Sequence, residues 1–432
     1  MTLEGTLVPI ASLLRTLVPI GFALLAGGCS QAPAEIHERL GGDEAALTDA
    51  QRLSAHRGGG HVHSTTSCGD HPSTAPSSLP YWTAIAQNGA IPDALWDGSS
   101  AYQDGRFYIF GGLNGTYPDD EAVANFSVFD VDTRTWHDLG EYTGGPSARA
   151  EAMMWSVAED DALIVSGGRG PFRRGLDLTH QDTFRFDRVH GWTQIAQNPA
   201  EVGLANRSTE AVAVRGKGKH KTVAYAFSGS SSTLSGFINR PDGLQHNLVR
   251  YKNGWKQVAT GSPVPRARAH HPLAYAEGWN ALLVYGGYTN DAVNGTGLFT
   301  PENYLGDLWM LDVDTETWEQ IAFDEDSGPG HRDNAKLLAD ERGNRIWLFG
   351  GSQFDGTTLS DVWYFDLDTG DWTRVDTAMA GPAPAPRFGQ FSFSRRTATA
   401  YELYIFGGAT AEFAPVLLND MWRLTIPLAD DD

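Results

Sequence analysis

The stretch Ile346-Trp-Leu-Phe-Gly-Gly351, followed by Asp361-Val-Trp-Tyr-Phe-Asp-Leu-Asp-Thr-Gly-Asp-Trp372, decides the fold. A short apolar run stopped by two glycines reads as a buried strand whose end meets crowded backbone, where a Cβ would not fit. The second run, rich in aromatic and β-branched residues, reads as another strand. Its Asp-Leu-Asp-Thr reads as a tight turn, because Asp and Thr side chains hydrogen-bond nearby backbone. Working outward, the apolar-diglycine element recurs as Phe107–Gly112, Leu163–Gly168, Ala224–Gly229 (ending Ser-Gly), Leu282–Gly287 and Leu403–Gly408, with final glycines 56, 61, 58, 64 and 57 residues apart. The turn-and-Trp element recurs as Phe126–Trp136, Asp182–Trp192, Asn247–Trp255 and Asp307–Trp318. A period of this length means stacked copies of one supersecondary unit.

These repeats resemble the kelch repeat over essentially all of residues 80–426. The resemblance implies an all-β, six-bladed propeller in which each Trp covers the interface to the next blade, contributing about 4 to 6 kcal/mol as an upper estimate. Six diglycine strands but five following Trp residues leave the last unit, Pro386 to Leu424, without an outer strand. Tyr81-Trp82-Thr-Ala-Ile-Ala86 looks like Trp192-Thr-Gln-Ile-Ala196 and Trp318-Glu-Gln-Ile-Ala322 and is expected to supply it. An N-terminal strand in the C-terminal blade removes an open sheet edge.

Composition bounds the function. Of 432 residues, 41% are hydrophobic, enough to bury a large core, and Lys+Arg 32 against Asp+Glu 53 gives a formal charge of -21. Nucleic acid is excluded as a bulk partner, since phosphate binding needs a net basic face. No run of about 18 to 20 apolar residues is present to span a bilayer as a helix. Two cysteines, Cys29 and Cys68, supply neither a disulfide framework nor a Cys-rich zinc module.

The first 28 residues read as an address. A 13-residue stretch from Thr16 to Gly28 ends in small residues and is followed by Cys29. Leu25-Ala-Gly-Gly-Cys29 resembles the bacterial lipoprotein signal, which implies acylation at Cys29, export, and a cell-envelope location at the outer membrane or cell surface, with the membrane reached through the lipid alone. The alternative is an ordinary signal peptide cut elsewhere. Residues 29–79, rich in Gly, Ser, Pro and His, read as a flexible tether. Its His56, His61, His63, Cys68 and His71 follow no metal-binding spacing, so no metal or other cofactor is expected. The propeller is assigned to 80–426 and an acidic tail to 427–432.

Each unit opens with the segment that becomes its innermost strand, and five of the six carry arginine there: Arg149, Arg207, Arg266 or Arg268, Arg332 and Arg387. Arg268 matches the spacing of Arg149 and Arg332 to the second glycine, whereas Arg266 matches that of Arg387. Guanidinium forks at one channel mouth of an acidic protein suit an acidic peptide, protein or sugar, with Arg173 and Arg240 in long neighbouring loops as rim contacts. The competing reading is structural, with Glu151 and Glu210 neutralising Arg149 and Arg207. Catalytic signatures are mostly missing: residues 80–426 hold no cysteine for a Tyr-Cys copper oxidase, and no sialidase Asp box, phosphate loop, His-Glu-x-x-His or Gly-x-Ser-x-Gly occurs. The reading favoured is a monomeric, non-catalytic binding module. The alternative is a sugar epimerase resembling the periplasmic sialic acid mutarotases, with Glu210, His271 and Gln390 as acid-base groups.

Overall fold

The computed structural model describes residues 79–428 except 116–120, 141, 172–178, 198–207, 216–221, 231–243, 245, 290–299, 324, 341–343, 378–381 and 412–414. Residues 1–78, where the signal and tether are expected, lie outside the described residues, as do Arg173, Arg207, Arg240 and the tail beyond Leu428.

Six antiparallel four-stranded sheets follow one another along the chain. Blade one comprises Ser99–Gln103, Arg106–Phe110, Phe126–Asp130 and Thr135–Asp138, and the short Asn88–Gly89 adds a parallel fifth strand at its outer edge. Blade two comprises Met153–Val157, Ala162–Ser166, Asp182–Asp187 and Gly191–Gln197; blade three, Ala211–Arg215, Thr222–Phe227, Leu248–Tyr251 and Trp255–Val258. Blade four runs Leu273–Ala276, Ala281–Tyr285, Leu308–Asp312 and Thr317–Ile321; blade five, Lys336–Ala339, Arg345–Phe349, Val362–Asp366 and Asp371–Arg374. Blade six takes Phe391–Arg396, Ala400–Phe406 and Met421–Pro427 from the C-terminal end and Tyr81–Ala84 from the N-terminal side. Tyr81 pairs with Thr425 and Ala84 with Trp422, so the expected closure is present. Its last C-terminal strand reaches Pro427, one residue past the expected boundary.

The turns form as their residues dictate. Asp130 Oδ1 accepts the Thr133 amide and hydroxyl, both at 2.8 Å, and Asp312 Oδ1 accepts those of Thr315 at 2.7 and 2.9 Å. At the other strand end, Gly111 stands at φ +67°, and a Cβ there would lie 2.1 Å from the Arg149 carbonyl oxygen of the next blade. The glycine is required by that approach, which lets the Gly112 amide donate to the same carbonyl at 2.9 Å. Gly229, Gly287, Gly351 and Gly408 repeat the inter-blade bond to the carbonyls of Arg268, Arg332, Arg387 and Leu95 at 2.8 to 3.0 Å.

The core is divided among the blade interfaces, and the tryptophans fill it from the side opposite to expectation. Each packs on the preceding blade: Trp136 on Phe406, Trp192 on Phe126, Trp255 on Trp155, Trp318 on Phe227, Trp372 on Tyr285 and Trp82 on Phe349, with ring centroids 4.8 to 5.6 Å apart. Outer strands therefore overlap the blade before them.

Candidate functional site at the channel mouth

Four arginines of the expected ring are described, and none is open to a ligand. Arg149, Arg268, Arg332 and Arg387 are at most 1% exposed. Each directs its fork at the aspartate that begins the third strand of its own blade: Asp182 at 2.6 Å, and Asp307, Asp361 and Asp420 at 2.7 Å. Nη1 also donates to the carbonyl of the first glycine of the pair, Gly167, Gly286, Gly350 or Gly407, at 2.9 to 3.0 Å. In three blades a tryptophan two residues on, Trp309, Trp363 or Trp422, donates to the same carboxylate at 2.6 to 2.7 Å. Although burial raises it, the Arg268 guanidinium holds the Asp307 carboxyl below its usual range, and Arg332 does the same for Asp361. The expectation that these forks receive an acidic ligand is thus corrected: the guanidiniums are buried and their Nη donors engage the blade's own aspartate, so a ligand would have to displace that carboxylate. Arg268, not Arg266, holds the repeat position in blade four.

Two residues after each arginine position the chain turns into the inner strand, and here the mouth is built. Asp97, Glu151, Ser208, His270, Asn334 and Gly389 occupy one column, all with φ between +50° and +62°. Each donates its amide to the carbonyl of the same column in the preceding blade: Asp97 to Gly389, Glu151 to Asp97, Ser208 to Glu151, His270 to Ser208, Asn334 to His270 and Gly389 to Asn334, at 2.7 to 3.4 Å. Six backbone hydrogen bonds close a ring around the channel. By sequence offset alone, the residue two before Ser208 is Asn206, and Arg207 stands one later than the other arginines do relative to this column.

The side chains of this column form the aperture, lining a cavity of about 50 Å³. Arg169 Nε donates to Glu151 Oε1 at 2.6 Å, Ser208 Oγ donates to Glu151 Oε2, and His270 Nδ1 lies 3.5 Å from Asp333. Glu151 therefore pairs with Arg169, not with Arg149. Burial, with Glu151 nearby, pushes Asp97 up to about 6 in spite of His270, Arg169 and Lys336. Burial opposes the charge on His270, but the carboxylates of Asp333 and Glu151, 3.5 and 3.9 Å away, overcome it and hold its pKa well above the usual value. One step deeper, Lys336 of blade five reaches across to Glu210 of blade three. This pair lines both the mouth and a deeper cavity of about 160 Å³.

Of the epimerase set, Glu210 and His271 both line the mouth cavity and Gln390 does not. Glu210 is held by Lys336 and accepts the Leu273 amide at 3.2 Å. His271 is 2% exposed against the Phe227 ring, and burial beside Arg268 depresses its pKa to about 3. Gln390, 1% exposed, donates to the Phe349 carbonyl at 3.4 Å in another blade interface. Among the described residues no group of three His, Cys, Asp or Glu side chains could hold a metal ion. In the turn between the first two strands of blade two, Glu159 accepts the Thr222 amide and hydroxyl at 2.6 Å and Asp161 accepts Gln103 at 2.8 Å, so both brace neighbouring blades.

Comparison with known families bears on this architecture. A model of the KLHDC2/KLHL20/DRC7 kelch-repeats domain matches residues 219–428, and a kelch-motif model matches residues 97–141. The chain is a kelch-repeat protein. It is similar to acyl-CoA-binding domain-containing protein 4 of Arabidopsis thaliana, 29% identical over 74% of this chain and 47% of that protein. Kelch domain-containing protein 10 of Xenopus tropicalis is 25% identical over 64% of each chain, and kelch domain-containing protein 1 of Mus musculus is 25% identical over 68% of this chain and 58% of its own. The chain thus spans from about half to under two thirds of these relatives. A kelch propeller is a protein-interaction scaffold.

Proposed function

We propose that the propeller is a non-catalytic, monomeric interaction module that docks a protein segment over the channel mouth. One observation carries this reading: the mouth's charged groups engage one another, while the loops after the diglycines of blades five and six expose Phe354 and Val416. Phe354 packs edge-on to Tyr304 of blade four at 5.9 Å, which makes an aromatic step beside the aperture. Aromatic side chains held in place by neighbours favour protein contacts because little rotamer freedom is lost on docking. A partner of acidic character would now depend on Arg173 and Arg240, since the four buried arginines are occupied.

The test is a photo-crosslinking amino acid placed at 354, at 416, or at 189, an exposed position in a turn on the opposite face. Adducts with one protein from 354 and 416 but not 189 are expected. Adducts confined to 189 overturn the reading.

We further propose that the protein works at the cell envelope, exported and anchored by lipid on Cys29, as the sequence at Leu25–Cys29 suggests. Cys29→Ser is expected to move it from the detergent to the aqueous phase on partitioning; equal aqueous partitioning of wild type and variant refutes the anchor.

A further inference from the structure

On the face away from the mouth, where blade six meets blade one, lies a cavity of about 130 Å³. Ile85, just past the closing strand, and Phe129 of blade one form part of its apolar wall. Three arginines line it: Arg134 from the turn after Phe126–Asp130, Arg395 near the end of blade six's inner strand, and Arg423 from Met421–Pro427. Two carboxylates answer the three guanidiniums, which leaves one positive charge in excess. Glu402, 6% exposed, accepts Arg395 Nε at 2.7 Å, Arg423 Nη1 at 3.0 Å and the Tyr404 hydroxyl at 3.0 Å. Asp132 lines the cavity too and meets Arg395 at 3.3 Å from a side chain that is 85% exposed. Arg423 Nε is buried with no hydrogen-bond partner among the described residues, and Arg134 is exposed and enters no ion pair among them.

A buried donor without an acceptor costs free energy, and three forks on one small cavity leave a surplus of donors and positive charge. We propose that this cavity binds a small tetrahedral oxyanion of the phosphate class, held by Arg134, Arg395 and Arg423. Planar guanidiniums match such an ion through paired N–H donors, and the space far exceeds the ~10–15 Å³ that one water requires. Because its walls come from both sides of the seam, the bound ion clamps the closure of the ring.

The test titrates inorganic phosphate into the full chain at constant ionic strength set with chloride, reading the melting temperature and calorimetric binding. A saturable rise beyond the chloride control is expected, with at least tenfold weaker phosphate binding in Arg134→Gln and in Arg423→Gln. Arg134 is exposed and outside any ion pair, so its variant folds and keeps the test decisive should Arg423→Gln unfold. Phenyl phosphate binding as tightly as phosphate identifies an esterified group as a natural ligand, and failure to bind confines the site to the free ion. A phosphate response absent from wild type, or unchanged in both variants, overturns the proposal.

Discussion

Where a blade has the buried arginine it has an aspartate at the head of its third strand, and where the arginine is absent so is the charge. Blades one and three carry Leu95 and Asn206 in the first column and Asn125 and Asn247 in the second. That internal exchange was legible in the repeat, and it names the partner; proximity along the chain suggested Glu151 and Glu210 instead. The true partners lie 29 to 39 residues away because the glycine-ended strand runs between them. Removing one member strands a buried charge, so Arg332→Leu should lower unfolding free energy by about 3–5 kcal/mol. Arg332→Leu with Asp361→Asn copies blade one, keeps an acceptor for Trp363, and should recover most of that loss in urea denaturation. The two adjacent histidines give the mouth opposite pH limbs. His271, with a folded pKa of about 3, leaves the unfolded chain binding the extra proton, so its contribution is lost as pH falls below about 6.5, roughly 1.4 kcal/mol per pH unit. Asp97, raised to about 6, holds a proton the unfolded chain releases and offsets that loss between pH 6 and 4. His270, raised, contributes fully below about 6.5 and loses its contribution as pH climbs through its folded value. Stability measured in urea at stepped pH should therefore fall on the alkaline side in wild type and not in His270→Asn, while His271→Asn should gain stability from pH 6 down to 4. Identical profiles for all three proteins refute the assignment.

At the level of strands, the repeat spelled out its own architecture: diglycines, Asp-led turns and closing Trp residues each do one local job, and local jobs are what sequence patterns record. The direction of Trp packing was not recorded, because a strand's outward alternation says which face is apolar but not which neighbour lies over it. Trp318 illustrates the outcome, sitting 4% exposed on Phe227 of blade three. Trp318→Ala should cost about 3–5 kcal/mol through the cavity it leaves, and hydrogen exchange should rise in Thr222–Phe227 of blade three more than in blade five. Greater exchange in blade five would reverse the packing direction. The mouth column was the least legible element, since Asp, Glu, Ser, His, Asn and Gly share no chemistry, only a left-handed backbone that glycine alone would have announced.

Across the molecule, stability depends on one seam held by strand pairing and not by a peptide bond. Deleting Tyr81–Ala84 exposes the edge of Met421–Pro427 and should produce aggregation by light scattering, whereas deleting residues 30–78 should leave a monodisperse propeller. Aggregation from the second deletion alone would place the closing strand elsewhere. The six amide links at the mouth carry a consequence for how such a chain can evolve. Every column residue is donor to the blade before and acceptor for the blade after, with the same left-handed turn, so the ring's curvature is shared out in sixths. Loops beyond the diglycines can lengthen or change sequence without touching a link. Duplicating or losing a repeat leaves two links with the wrong span and forces all the others to re-angle together, so a lineage built on this ring explores new binding surfaces readily while its number of blades stays fixed.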